Sequence, residues 1–70
     1  MMIKMFTLII GDKKEEKEIQ NTDYKIIDLL KEMDLPVETV VTKKNKKIVI
    51  EETSITDGDE IEIIQVIYGG

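Results

Sequence analysis

The C-terminal segment constrains the fold most strongly, because a run of strand-forming residues leads almost directly into two glycines. Ile61 to Ile67 is rich in β-branched side chains, which favour an extended backbone, so we predict a strand there. Gly69 and Gly70 have no side chain to pack and lose more conformational entropy on ordering than any other residue. We therefore expect residues 1–70 to form one domain, with residues 68–70 as a flexible tail that ends in a free carboxylate.

Length and composition exclude several classes of protein. The sequence has 70 residues, and a chain of this size buries only roughly 60% of its unfolded surface, so it lies near the lower limit for unaided folding. It contains no Cys and no His, which removes disulfides, thiolate metal sites and the commonest general base. We expect no catalytic residue, no metal site and no bound cofactor.

The net charge and the hydropathy pattern indicate which partners and which cellular location to expect. Its net charge of −5 argues against nucleic-acid binding and favours a protein partner with a basic surface. No apolar run approaches the ~20 residues that a membrane span requires, so we expect no membrane association and a cytoplasmic location.

The N-terminal half is predicted to contain two strands and a helix. Met2 to Ile10 is apolar at both alternating sets, which is typical of a strand that lies centrally or has an apolar outer face. Lys14 to Gln20 is a charged segment suited to a sheet edge, with Ile19 as its one strong apolar contact. Thr22 is expected to cap the helix, Asp23 to lie in its first turn, and Pro36 to end it. The helix's apolar stripe comprises Ile26, Leu29, Leu30 and Met33.

The C-terminal half is predicted to contain a hairpin and the last strand. Two short strands, 39–42 and 48–50, flank a lysine-rich tip in which Asn45 suits a positive φ. Ile55 is expected to anchor the next segment to the core. The sequence Asp57-Gly58-Asp59 predicts a tight turn into the last strand, and the longer ligand array of a calcium site is missing there.

The element order predicts an α+β fold, with one helix packed across one face of a mixed sheet of four to five strands. The first and last strands are the most apolar, so they should lie side by side in the middle of the sheet. The predicted core comprises Phe6, Leu8, Ile10, Ile26, Leu30, Met33, Ile61 and Ile63.

This layout and the ending Asp57-Gly58-Asp59, apolar strand, Gly69-Gly70 resemble the ubiquitin-like β-grasp proteins, and above all their ThiS/MoaD-type sulfur-carrier family. The resemblance covers the whole chain in length and element order. It implies that an E1-like adenylyltransferase of the ThiF or MoeB type uses ATP to adenylate the carboxylate of Gly70. The acyl-adenylate is then converted to a thiocarboxylate, so the chain is a carrier and not an enzyme.

The resemblance also implies how the tail is used. The activating enzyme threads it through a narrow passage, which suits Gly69 and Gly70 because a Cβ would restrict φ and add bulk. Tyr68 precedes them and differs from the small or basic residues often found there. Sulfur would pass to a thiazole precursor, a pterin precursor or a tRNA base, with a thiazole synthase or a synthase large subunit as a further partner. The free protein is expected to be a monomer.

A second candidate surface is the outer face of the sheet. If Ile61 and Ile63 point inward, alternation directs Ile64 and Val66 outward as an apolar patch beside the tail. The alternative is that a loop covers these side chains or that the register bulges. The predicted partner-binding residues are Ile64, Val66, Met5 and Ile9, with one of Val40 or Val41 as an extension.

Two other functions share the same motivating residues. One is a ubiquitin-like modifier that is joined to lysines through Gly70, and the other is a non-covalent β-grasp binding module in which the glycines are incidental. The basic cluster Lys43, Lys44, Lys46 and Lys47 lacks interleaved aromatic residues, so we interpret it as a solvated hairpin tip and not as a nucleic-acid site.

Overall fold

A computed structural model describes residues 3–66. The strand start predicted at Met2, the strand end predicted at Ile67 and the tail predicted for residues 68–70 lie outside the described residues. In chain order, the elements are β1 (Met5–Ile10), β2 (Lys13–Glu18), α1 (Ile26–Glu32), a 3-10 turn (Val37–Thr39), β3 (Val40–Lys44), β4 (Lys47–Val49) and β5 (Glu60–Gln65).

The five strands form one mixed sheet in the order β2-β1-β5-β3-β4. β1 and β5 run parallel, and the remaining neighbours are antiparallel. The first and last strands therefore lie side by side, with β5 in the centre, as their apolar character predicts. The charged strand β2 forms one edge, and the short strand β4 forms the other.

The core lies between the sheet and α1. Its buried apolar residues are Phe6, Leu8, Tyr24, Ile26, Leu29, Leu30, Ile55, Ile61 and Ile63. Ile10 and Met33, which were predicted to be in the core, are only partly buried and pack against its margin. Ile55 is buried, which confirms its predicted role as an anchor. Each fully buried side chain of this kind contributes about 1.5–3 kcal/mol, so a small domain depends on all of them.

The predicted start of the helix is wrong. Its N-cap is Lys25 and not Thr22, and Asp23 has a φ of 61°, which places it outside the first turn. The backbone N–H of Lys25 donates to Asp28 Oδ2 at 2.9 Å. The carboxylate that satisfies the helix start therefore comes from the first turn of the helix itself, as in half of a capping box.

The predicted end of the helix is also wrong, because α1 ends before Pro36 can act. Asp34 has a φ of 58° in the left-handed region. The backbone N–H of Leu35 donates to the carbonyl of Leu30 at 2.9 Å, which is the six-to-one bond of a Schellman motif. Glycine is usual at the left-handed position of that motif, and here Asp34 takes its place.

The hairpin between β3 and β4 turns through Asn45 and Lys46, whose φ values are 52° and 73°. Two consecutive positive φ values are characteristic of a type I′ turn, which matches the twist of the flanking strands. The positive φ predicted for Asn45 is confirmed.

α1 is the one α-helix among residues 3–66, and with seven residues it is too short to span a bilayer.

Candidate partner-docking face and tail exit

The central strand β5 has one buried and one open side. Ile61 and Ile63 are 0% and 1% exposed, whereas Ile64 is 38% exposed. Because successive side chains of a strand point to opposite faces, Ile64 lies on the face of the sheet away from α1. We call this the outer face. The alternation predicted for β5 is therefore present, and its register contains no bulge.

The register of β3 shows which valine joins Ile64. Val41 is paired with Ile64, so both lie on the outer face. Val40 is paired with Gln65 and packs against the core. Of the two valines, Val41 is therefore the one that extends the exposed apolar surface.

Ile9 reaches the same surface from the other side of β5. It is paired with Glu62 in the parallel register, which places it diagonally from Ile64, within reach of a long side chain. Val66, one residue beyond β5, is partly buried. The residues that surround the point where the chain leaves the sheet, which we call the tail-side patch, are Ile9, Val41, Ile64 and Val66.

Met5 does not join the tail-side patch. β1 is parallel to β5, and Thr7 is paired with Glu60, so Met5 lies before the start of β5. The backbone N–H of Gly58 donates to the carbonyl of Met5 at 2.8 Å, which fixes this position. Ile64 is six residue steps further along the sheet, or roughly 20 Å at the rise of a strand. The structure therefore separates Met5 from Ile64, although both face outward.

Sequence reasoning missed three exposed apolar residues, Ile3, Ile48 and Ile50, of which Ile48 lies in a strand. Ile48 is paired with Lys43, lies on the outer face of the edge strand β4 and is 72% exposed. The strand was predicted, but a three-residue strand has too little alternation to show which face each residue takes. The pairing of β4 with β3 in the folded sheet shows that Ile48 lies on the outer face.

The chain leaves the sheet at Val66. Its backbone N–H donates to the carbonyl of Thr39 at 2.8 Å, one position beyond the last residue of β5. Thr39 is itself held by a turn, because its backbone N–H and its Oγ1 both donate to the carbonyl of Pro36, at 3.1 and 2.9 Å. The predicted adenylation site at Gly70 and the threading residues Gly69 and Tyr68 lie outside the described residues.

The turn that precedes β5 is held by its aspartates. The Asp59 carboxylate accepts hydrogen bonds from the backbone N–H of Thr56 at 2.7 Å, from Thr56 Oγ1 at 2.9 Å and from Asn45 Nδ2 at 3.1 Å. Burial opposes its ionisation, but these bonds and the nearby Lys44 ammonium hold the pKa of Asp59 below its usual value. Asp57 Oδ1 accepts from the backbone N–H of Met5 at 2.9 Å.

These contacts give the aspartates a structural role. Gly58 between them has a φ of 85°, which a residue with a Cβ rarely adopts. Among residues 3–66, no three acidic side chains come close enough to form a metal site. The turn predicted from the sequence is therefore present, and Asp59 ties it to the β3–β4 hairpin.

The lysine cluster is divided by the register of β3. Lys44 Nζ donates to the carbonyl of Ser54 at 2.9 Å and lies 3.4 Å from Asp59 Oδ2. Lys43 is on the outer face beside Glu62. Lys46 and Lys47 are exposed at the hairpin. One lysine of the cluster therefore supports the turn network, which the interpretation as a solvated tip did not include.

Tyr24 is a buried residue that the predicted core omitted. Its hydroxyl donates to Glu32 Oε2 at 2.6 Å, which joins the segment before α1 to the last helical residue. Burial and this hydrogen bond to Glu32 raise the pKa of Tyr24. A single aromatic residue outside a periodic stretch gives no sequence signal for burial, so packing alone reveals it.

The architecture defines the class of protein. A five-stranded mixed sheet with one helix across it and the last strand at its centre is the ubiquitin-like β-grasp fold. A ubiquitin from Caldiarchaeum subterraneum matches with a TM-score of 0.66 at 15% identity, over 97% of this chain and 99% of that chain. The thiamine biosynthesis protein ThiS from Geobacter metallireducens matches with a TM-score of 0.63 at 20% identity, over 91% and 99%.

The family follows from the sequence match. The model of the ThiS family matches residues 7–70, so the chain belongs to the ThiS family. The resemblance inferred from the sequence is thereby confirmed. Members of this family are small carrier proteins rather than enzymes.

Proposed function

We propose that the protein is a sulfur carrier whose Gly70 carboxylate is adenylated by an E1-like enzyme and then converted to a thiocarboxylate. The observation that carries this proposal is the ThiS family match, which runs through the last strand to both terminal glycines. The body of the protein contributes no catalytic group. Its role is to hold the tail at a fixed point and to bind the enzyme that acts on it.

The proposed chemistry has two steps. The carboxylate oxygen of Gly70 attacks the α-phosphorus of ATP, and pyrophosphate leaves. A sulfur nucleophile at the oxidation level of sulfide then attacks the acyl carbon, and AMP leaves. One carboxylate oxygen is replaced by sulfur in the sum of the two steps, and both occur within the partner enzymes.

The tail exit limits where the adenylating centre can lie. Among residues 3–66, Val66 makes the hydrogen bond nearest the C-terminus, to the carbonyl of Thr39, and four residues follow it in the sequence. A fully extended chain spans at most about 3.3–3.6 Å per residue, so Gly70 reaches about 14 Å beyond Val66. The bound ATP of the partner therefore lies within that distance of the tail-side patch.

The tail-side patch is the contact surface that we propose for this partner. Ile64 and Val41 are adjacent, outward-facing and next to the exit. Covering apolar surface on association is favourable in proportion to the area that is removed from water. A partner that covers Ile64 and Val41 also brings its active site to the tail.

Intact-mass measurement tests the proposal. The protein is incubated with ATP, a sulfur donor and the E1-like enzyme encoded in the same genome, and its mass should rise by the difference between sulfur and oxygen. A variant that lacks Gly69 and Gly70 should show no change while it keeps the same melting temperature. No mass change in the intact protein would contradict the proposal.

Two further measurements distinguish the alternative functions. Remnants of this tail on lysines of other proteins, found by peptide mass spectrometry, would support the modifier function instead. A cellular function of the protein that survives deletion of Gly69 and Gly70 would support a non-covalent binding module.

A further inference from the structure

The two edges of the sheet present different side chains. β2, at one edge, has six residues, and all of them are Lys or Glu. β4, at the other edge, contains Ile48, which is 72% exposed, and is followed by Ile50, which is 64% exposed. Charged side chains on an edge strand oppose pairing with another molecule, whereas exposed apolar side chains do not. Of the two edges, β4 is therefore the one suited to pairing with a further strand.

The backbone of Ile48 points to the open side of β4. On the β5 side of β3, the backbone N–H of Asn45 donates to the carbonyl of Glu60 at 2.8 Å. Backbone groups of successive residues in an antiparallel strand point alternately to its two neighbours, so Lys43, two residues earlier, also bonds toward β5. Lys43 is the partner of Ile48 in the β3–β4 register, and the two therefore form a non-hydrogen-bonded pair. The N–H and C=O of Ile48 are directed outward, and no turn or loop bond among residues 3–66 uses them.

The charges along this edge are ordered by sign. Lys46 and Lys47 lie at the hairpin end, and Glu51 and Glu52 follow Ile50 at the other end. All four charged residues are exposed, and within residues 3–66 none of them takes part in a salt bridge. An antiparallel strand of the same sequence places its lysines opposite these glutamates. The edge is therefore complementary to itself, both in charge and in apolar side chains.

One register satisfies the apolar and the charged contacts together. It places Val49 of each copy on the twofold axis, with Ile48 opposite Ile50 of the second copy and Lys47 opposite Glu51 of the second copy. The symmetry repeats each of these pairs, and the outward backbone groups of Ile48 face the second copy. The alternative register, with Ile48 on the axis, places Lys47 opposite Val49 and loses both charge pairs.

We propose that two copies of this chain pair through β4, antiparallel and in the first of these registers, to form a dimer whose sheet is continuous across both copies. This differs from the monomer expected from the sequence, and it is independent of the proposed sulfur-carrier function. A single short edge buries less than the ~1,200 Å² of a standard interface. The dimer is therefore weak, with a Kd on the order of 100 µM.

The dimer leaves both tail exits accessible. β4 and β5 are both antiparallel to β3, so they run in the same direction, and the twofold axis reverses both of them in the second copy. The two exits therefore lie at opposite ends of the combined sheet. Edge pairing extends a sheet sideways, so it covers neither the outer face nor the tail-side patch.

Sedimentation equilibrium, over concentrations from about tenfold below to about tenfold above the expected Kd, tests the dimer. Ile48→Lys should weaken it by at least about tenfold, because the ammonium is then placed against an isoleucine of the second copy. Ile3→Lys is the matched control, since Ile3 is 67% exposed and precedes β1, which β5 and β3 separate from β4. It should leave Kd within about twofold of the wild type.

Charge reversal tests the register. Lys47→Glu and Glu51→Lys each place like charges opposite each other, so each variant alone should dimerise about tenfold more weakly than the wild type. Mixed in equal amounts, the two variants should associate with each other about as tightly as the wild type does with itself, because every opposing pair is again of opposite sign. A mixture of Lys47→Glu with Glu16→Lys, a change of the same size on β2, should not associate in this way.

NMR amide spectra locate the contact. The amide of Ile48 should shift with protein concentration, whereas the amides of β2 should not, and circular dichroism confirms that each variant is folded. A wild type that stays monomeric at the highest concentration would overturn the inference. A dimer that keeps its Kd in Ile48→Lys and in Lys47→Glu, or whose shifts are confined to β2, would overturn it as well, because another surface would then join the copies.

Discussion

The two ends of the sheet are held by different kinds of contact. At the end away from the tail, Asp59 joins Thr56, Asn45 and Lys44 in one network of side-chain bonds. At the tail end of the described residues 3–66, a backbone hydrogen bond joins Val66 to the carbonyl of Thr39. The polar network therefore lies at the end of the sheet away from Val66. A partner can bind at the tail end without breaking that network.

The largest difference is expected between substitutions of two neighbouring residues at the tail end of β5. Ile63→Ala removes a fully buried side chain and should lower the free energy of unfolding by about 3 kcal/mol. Ile64→Ala, on the outer face, should lower it by less than about 1 kcal/mol but should raise KM for adenylation. Chemical denaturation measures the first quantity, and pyrophosphate release measures the second.

Equal destabilisation by these two variants would show that the outer face contributes to the core. A stable Ile64→Ala variant with unchanged KM would contradict the role of the tail-side patch in docking.

A smaller effect is expected when the polar network is broken. Asp59→Ala removes the acceptor for the backbone N–H and Oγ1 of Thr56 and for Asn45 Nδ2, all in part-buried hydrogen bonds, which should cost about 2 kcal/mol. Thr39→Ala at the tail end removes one exposed hydrogen bond and should cost less than about 1 kcal/mol. Thermal melting of both variants tests whether the two ends differ as the structure indicates.

Acid should weaken the same network. The pKa of Asp59 is lower in the folded protein than in an unfolded chain, so its contribution is present above the unfolded value of about 4 and is lost as the pH falls through the folded pKa. Asp59→Asn should therefore flatten the loss of stability below about pH 4. An unchanged acid profile in that variant would assign the loss to other carboxylates.

The smallest effect concerns the hairpin tip beside the network. Lys46 has a φ of 73°, and Lys46→Gly should stabilise the protein by up to about 1 kcal/mol because glycine adopts this region without a Cβ penalty. Asn45→Gly should not give this gain, since it removes the bond to Asp59. Melting temperatures of the two variants make the comparison.

Most of the fold could be predicted from the sequence because its strongest patterns are local. The alternation of Ile61 and Ile63 and the helical stripe of Ile26, Leu29 and Leu30 each depend on a single element, and the structure buries all five residues. The helix ends were predicted wrongly, because left-handed Asp34 carries no signal that distinguishes it from other aspartates.

The sequence predicts only those parts of the candidate site that depend on a single strand. Ile64 follows from alternation along β5, whereas the distance of Met5 from it depends on the parallel register between the first and last strands. That register is fixed by contacts between residues far apart in the sequence. For the same reason, Glu16 and Glu60 become neighbours of Thr7 only in the folded sheet.

The central position of β5 has a mechanical consequence. β5 is bonded to β1 on one side and to β3 on the other, and the bonds between strands lie across the strand axis. A pull applied at Val66 along the strand therefore loads both rows of bonds at the same time, in shear, and does not open them one after another. Under the proposed function, an enzyme that draws the chain end into a confined channel pulls on the part of the sheet that resists shear, so the body should stay folded while its end is bound.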